Sequence, residues 1–136
     1  QKRYCALPPI GSALPPTITL SIPTMLENYW LVLVKPNDFI STREAYASVT
    51  PCPSKESLTD IISRPVKMWR GHMINDFEES VFPTHPMVSA IRDQLYMLGA
   101  TYAAMSGSGS TLYALFRQQP VLGDVFAGCF VWQCRL

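Results

Sequence analysis

Ser106-Gly107-Ser108-Gly109-Ser110 is the first stretch of this chain whose residue types and spacing could do chemistry. Alternating serine and glycine lets the main chain approach a ligand closely, and successive N–H groups can converge on an anion. The three hydroxyls add donors. The same residues also suit a flexible hairpin turn, and residue types alone leave both readings standing. The stretch is not a P-loop, because no G-x-x-x-x-G-K-[ST] occurs anywhere in the chain.

Ser41-Thr42-Arg43-Glu44-Ala45-Tyr46 is the second candidate. Ser41 followed three residues later by Glu44 is a capping-box pattern: the hydroxyl accepts from a free helical N–H and the carboxylate reaches back. Tyr46, one turn on, either packs in the core or offers a flat stacking surface to a ligand near the helix start. Asn75-Asp76-Phe77-Glu78 is the third, and as a cap followed by first-turn acids it needs no ligand. No Ser-His-Asp or Cys-His arrangement can be assigned. His72 and His85 have no helical-spacing partner and no metal site is expected. Cys5, Cys52, Cys129 and Cys134 contain no C-x-x-C pair, so four reduced thiols in a cytosolic protein are expected.

Around these stretches the chain reads as one domain. Residues 1–24 carry Pro-Pro twice and form an N-terminal arm, in which the alternating residues 18–22 suit an edge strand. Residues 29–34, Tyr-Trp-Leu-Val-Leu-Val, predict a strand with apolar residues on both faces. Helices are predicted over 42–48, over 53–63 with Ser54 or Ser57 as cap, and from Pro65 toward Asn75. Phe77, Val81 and Phe82 add a further turn or two. The best helix covers 86–98: Pro86 opens it, Val88, Ile91, Leu95 and Leu98 line one face, and Gly99 stops it. Strands follow at 101–105 and 111–116, joined by the Ser-Gly stretch, then a short helix at 120–126 and a last strand at 130–134. The order predicts an α+β, ferredoxin-like split βαβ domain over residues 25–136. Its sheet has four antiparallel strands with helices on one face and a helical insertion at 53–83.

Composition narrows the function classes. The chain has 136 residues, 48% of them hydrophobic and 15% charged, enough for an ordinary core without staples. Eleven Lys and Arg against ten Asp and Glu give a net charge of +1, which removes the electrostatic case for nucleic acid or an anionic membrane as partner. No apolar stretch approaches the ~20 residues of a membrane-spanning helix. The prolines after the basic start disfavour a signal peptide.

Five separated motifs resemble the C-terminal half of the 4-diphosphocytidyl-2-C-methyl-D-erythritol kinase family, a branch of the GHMP small-molecule kinases. They are Trp30-Leu31-Val32-Leu33-Val34-Lys35-Pro36; Ser41-Thr42-Arg43-Glu44-Ala45-Tyr46; Asn75-Asp76-Phe77-Glu78 with Val81, Phe82 and Pro86; Leu98-Gly99-Ala100; and Ala104-Met105 running through the Ser-Gly stretch to Thr111. The likeness covers about residues 26–136. It implies transfer of the γ-phosphoryl group of ATP, with Mg2+ in the full-length enzyme, to the 2-hydroxyl of 4-diphosphocytidyl-2-C-methyl-D-erythritol in non-mevalonate isoprenoid synthesis. By the same likeness Ser106, Gly107, Ser108, Gly109 and Ser110 form a phosphate-side loop. Thr42 matches a hydroxyl residue near the methylerythritol end of the substrate, and Tyr46 an aromatic that stacks on cytosine.

The sequence departs from the family in lacking its catalytic lysine and aspartate and its G-L-G-G-G-S-S-type ATP loop, which belong to an N-terminal domain. The resemblance therefore implies a substrate-side domain that is inactive alone, carries no catalytic residue of its own and partners a missing kinase domain. The face left by that domain promotes self-association, so a homodimer is expected. The alternative is a stand-alone ferredoxin-like module that binds a small molecule or regulates. A sheet-face RNA binder of this topology would need a basic-aromatic signature that is missing.

Overall fold

The computed structural model describes residues 24–50, 53 and 55–136. The expected edge strand at 18–22 lies outside them. Among the described residues β1 (Trp30–Lys35), β2 (Tyr102–Met105), β3 (Leu112–Phe116) and β4 (Phe130–Arg135) form one sheet in the order β2-β3-β1-β4. Every neighbouring pair is antiparallel. β1 slots between β3 and β4, the interleaving that a split βαβ unit requires.

The register sorts the side chains onto two faces. Val34 stands opposite Leu112 on one side and Val131 on the other, and Leu112 stands opposite Met105. These join Val32, Ala103 and Ala114 on a face that α4 (Pro86–Met97) covers with Val88, Ile91 and Leu95. That 3-4 spacing presents one helical stripe to the sheet. Ala45 of α1 (Thr42–Ala47) and Val81 of α3 (Asp76–Val81) complete this layer.

The helical insertion divides between the faces. α3 stays with the first layer. α2 (Leu58–Ile62), a 3-10 turn at Val66–Met68 and Trp69 cross to the second face, where Ile61, Val66 and Trp69 pack on Tyr102, Ala104 and Leu115. Trp69 meets Tyr102 edge-on at 5.7 Å, and its indole N–H donates to the Arg64 carbonyl at 3.0 Å.

Two expected helices differ. The helix placed over 53–63 is the five-residue α2, because Glu56 is held outside it by Arg64 and His72, each 2.6 Å from a carboxylate oxygen. Hydrogen bonds with His72, most strongly, and then with Arg64 hold the Glu56 carboxyl below its usual range. The helix placed over 120–126 is a run of turns. Val125, Ala127 and Cys129 each donate to the carbonyl three residues back, and Gly123 and Gly128 interrupt the run at φ +49° and +82°.

The free side of β2 is closed by side chains. Ser106 N–H donates to Thr111 O at 2.8 Å toward β3, so by the alternation of an antiparallel ladder the polar groups of Met105 and Ala103 face outward. Tyr96 donates to Ala103 O at 3.1 Å, Asn75 Nδ2 to Met105 O at 2.7 Å, and Met105 N–H to Glu78 Oε1 at 2.7 Å. No helix of the described residues is long and apolar enough to cross a membrane.

Candidate functional site

The β2–β3 hairpin carries the Ser-Gly stretch at its tip. The turn closes on itself through Gly109 N–H, which donates to Ser106 O at 3.1 Å. Gly107 and Gly109 take φ +56° and +92°, the left-handed region that glycine enters without Cβ strain. With Gly109 turned inward, the amides of Gly107, Ser108 and Ser110 have no partner among the described residues. Ser106 and Gly107 are exposed, Ser108 and Gly109 half-buried, and Ser110 buried.

α1 is placed by its cap. Ser41 Oγ accepts from Glu44 N–H at 3.1 Å, as the sequence pattern predicts. The other half of the expected box does not form: the Glu44 carboxylate turns instead to His85 Nε2 at 2.9 Å. His85 Nδ1 lies 3.0 and 3.1 Å from the two oxygens of Asp38. Carboxylates only accept, so the ring facing both of them carries both protons. Glu44 raises the His85 pKa most, burial opposes the rise, and Asp38 adds to it. Asp38 and Glu44 flank the start of α1, so this histidine ties that segment to the start of α4.

The structure brings the loop and the helix start together. A Cβ on Gly109 would lie 2.8 Å from Ile40 Cδ1 and 2.8 Å from Met105 Sδ. Ile40 is buried and stands two residues before Thr42, which is exposed. Tyr46 is 63% exposed and meets Phe77 edge-on at 4.8 Å. Phe77, Asn75, Ser106, Gly107, Tyr102 and Tyr113 line a cleft of about 480 Å3. Burial pushes both tyrosine pKa values up, which keeps the phenols neutral. The cleft therefore sets aromatic rings beside main-chain amides, with one carboxylate, Asp76, also on its lining.

Two residues at this cleft do more than the sequence pattern predicts. Asn75 Oδ1 caps α3 by accepting from Phe77 N–H at 3.0 Å, as expected. Its Nδ2 also reaches across to Met105 O and, at 2.9 Å, to Gly107 O. Glu78 accepts from Met105 N–H with one oxygen and from Arg92 with the other at 3.0 Å. The signal was the residue type. Among good caps asparagine alone joins a capping oxygen to a separate group with two N–H donors, one for each carbonyl, whereas aspartate and serine serve a cap alone equally well.

Comparison with known proteins fits this geometry. The family model described as GHMP kinases C terminal matches residues 66–125. A protein of Parabacteroides distasonis named 4-diphosphocytidyl-2-C-methyl-D-erythritol kinase is 49% identical over 113 residues, which is 82% of this chain and 42% of that protein. Residues 66–125 are a GHMP kinase C-terminal domain. A Bacteroides thetaiotaomicron protein of the same name is 45% identical over 111 residues, covering 82% of this chain and 40% of that protein. The domain thus spans less than half the length of the relatives it matches.

Two solved structures share the GHMP domain's fold. One is a crystal structure of a 4-(cytidine 5'-diphospho)-2C-methyl-D-erythritol kinase, with TM-score 0.58 and 22% identity over 85% of this chain and 44% of that one. The other is homoserine kinase from Cytophaga hutchinsonii, with TM-score 0.57 and 16% identity over 85% of this chain and 43% of that one.

Proposed function

We propose that this chain is the substrate-side wall of an ATP-dependent kinase that phosphorylates the 2-hydroxyl of 4-diphosphocytidyl-2-C-methyl-D-erythritol, and that it works in the cytosol. The names of its relatives support the substrate. The observation that carries the reading is the contact of Gly109 with Ile40, which makes one surface of the amide-bearing loop and the helix that carries Thr42 and Tyr46. In this reading Tyr46 stacks on cytosine, Thr42 faces the methylerythritol end, and the amides of Gly107, Ser108 and Ser110 point at phosphate oxygens.

Phosphoryl transfer moves the γ-phosphorus from the ADP oxygen to the substrate hydroxyl, which gives up its proton. Charge spreads over the transferring oxygens, and fixed amides aimed at them stabilise it without reorganising. In this reading the proton acceptor and the ATP loop come from a second domain across the cleft, so the chain alone turns over no substrate. Among the described residues no three His, Cys, Asp or Glu stand together as a metal-binding group.

The test is a titration with cytidine 5'-diphosphate followed by NMR. Shifts confined to Tyr46 and the amides of residues 106–110 support the kinase wall. Their absence, together with tight self-association, favours a stand-alone module. ATP-dependent turnover by the chain alone contradicts the two-domain part of the reading.

A further inference from the structure

We infer that Asn75 and Glu78 are positioning residues that set the direction of the loop amides, and through it the loop's affinity for phosphate; the second half rests on the reading above. Both polar groups of Met105, the last residue before the loop, are held from outside the sheet, the carbonyl by Asn75 and the N–H by Glu78. Asn75 also holds the Gly107 carbonyl. In a planar trans peptide the C=O of one residue and the N–H of the next point in opposite directions. Pinning Gly107 O toward Asn75 therefore turns the Ser108 N–H away from α3, toward the open side of the hairpin. Arg92 fixes the second oxygen of Glu78, so the carboxylate that holds Met105 cannot swing into the anion site. Gly107 has no side chain and open space around it, and supplies no restraint of its own.

A cap and a brace make different demands at position 75. If capping were the whole role, Asn, Asp and Ser would be nearly equivalent. A brace needs two donors: serine offers a single O–H on a shorter side chain, and aspartate replaces both N–H groups with a charge that repels two carbonyls. The experiment compares wild type with Asn75→Ser and Asn75→Asp by 15N relaxation of the ligand-free protein, thermal unfolding, and titration with inorganic pyrophosphate.

The expected result is a graded loss of loop order at Gly107 and Ser108, from a rigid order parameter of about 0.85 in wild type to below about 0.6 in Asn75→Asp, with Asn75→Ser between. Melting temperatures stay close together. Pyrophosphate affinity falls about tenfold in Asn75→Ser, the size of losing a hydrogen bond. Glu78→Ala provides a second arm, in which exchange of the Met105 amide rises about tenfold. Equal loop order in all three position-75 proteins, or an unchanged Met105 amide in Glu78→Ala, overturns the positioning role. A wild-type loop whose amides ignore pyrophosphate overturns the phosphate reading instead, and the ligand-free order parameters still judge the brace.

Discussion

Gly109 sits so close to Ile40 that the smallest side chain would put carbon within 2.8 Å of the isoleucine's terminal methyl. Through this contact the tip of one hairpin rests on the start of a helix some seventy residues earlier. It joins the two sequence stretches whose chemistry first drew attention.

The two loop glycines should respond differently to alanine. Gly107→Ala meets open space and costs about 1–2 kcal/mol from its left-handed backbone alone. Gly109→Ala carries the same backbone strain and also overpacks Ile40 and Met105, which adds roughly 1–3 kcal/mol. Urea unfolding at unchanged slope measures the gap, and equal losses would contradict the packing described.

His85 makes stability depend on pH. Its folded pKa is raised above the ordinary value of 6.5, mainly by Glu44. The contribution is therefore fully present below the unfolded pKa and is lost as pH rises through the folded one. The melting temperature should fall from this source as pH rises above the ordinary value of 6.5 and through the raised folded pKa, and His85→Gln should flatten that part of the profile. A wild-type profile that rises over the same window, or one that His85→Gln leaves unaltered, refutes the pairing with Glu44 and Asp38.

Tyr46→Ala separates binding from folding. The ring is mostly exposed and its edge contact with Phe77 is worth about 1 kcal/mol. Stacking on a base is worth about 1–3 kcal/mol, so affinity for cytidine 5'-diphosphate should drop roughly 10- to 100-fold, as isothermal calorimetry can measure. Unchanged affinity would remove Tyr46 from the proposed site.

Trp69→Ala tests the second face of the sheet. This buried indole packs edge-on against Tyr102 and bonds to Arg64 O. Its truncation should cost about 3–5 kcal/mol in chemical denaturation. A loss under about 1 kcal/mol would mean that the insertion contributes little to the core.

Strong local periodicity made most of the elements legible in the sequence. Val88, Ile91 and Leu95 marked the buried stripe of α4, with Pro86 and Gly99 at its ends, and a β-branched and aromatic run marked β1. Long-range contacts decided the rest. Glu56 left its expected helix for Arg64 and His72, and Glu44 left its capping box for a histidine forty-one residues away. The helix expected over 120–126 does not form: the stretch holds Pro120, two valines and Gly123, which takes a positive φ that interrupts the turns. At the candidate site, the Ser-Gly stretch and Tyr46 stood out by type. Asn75 and Glu78 did not, because a helix cap already accounted for both. Their second partners, Met105 and Gly107, lie about thirty positions downstream.

The side chains along β2 also limit how this molecule can associate. With Tyr96, Asn75 and Glu78 occupying that rim, the sheet of the described residues leaves the β4 side for an added strand to join. Strand addition at one rim alone ends at a pair.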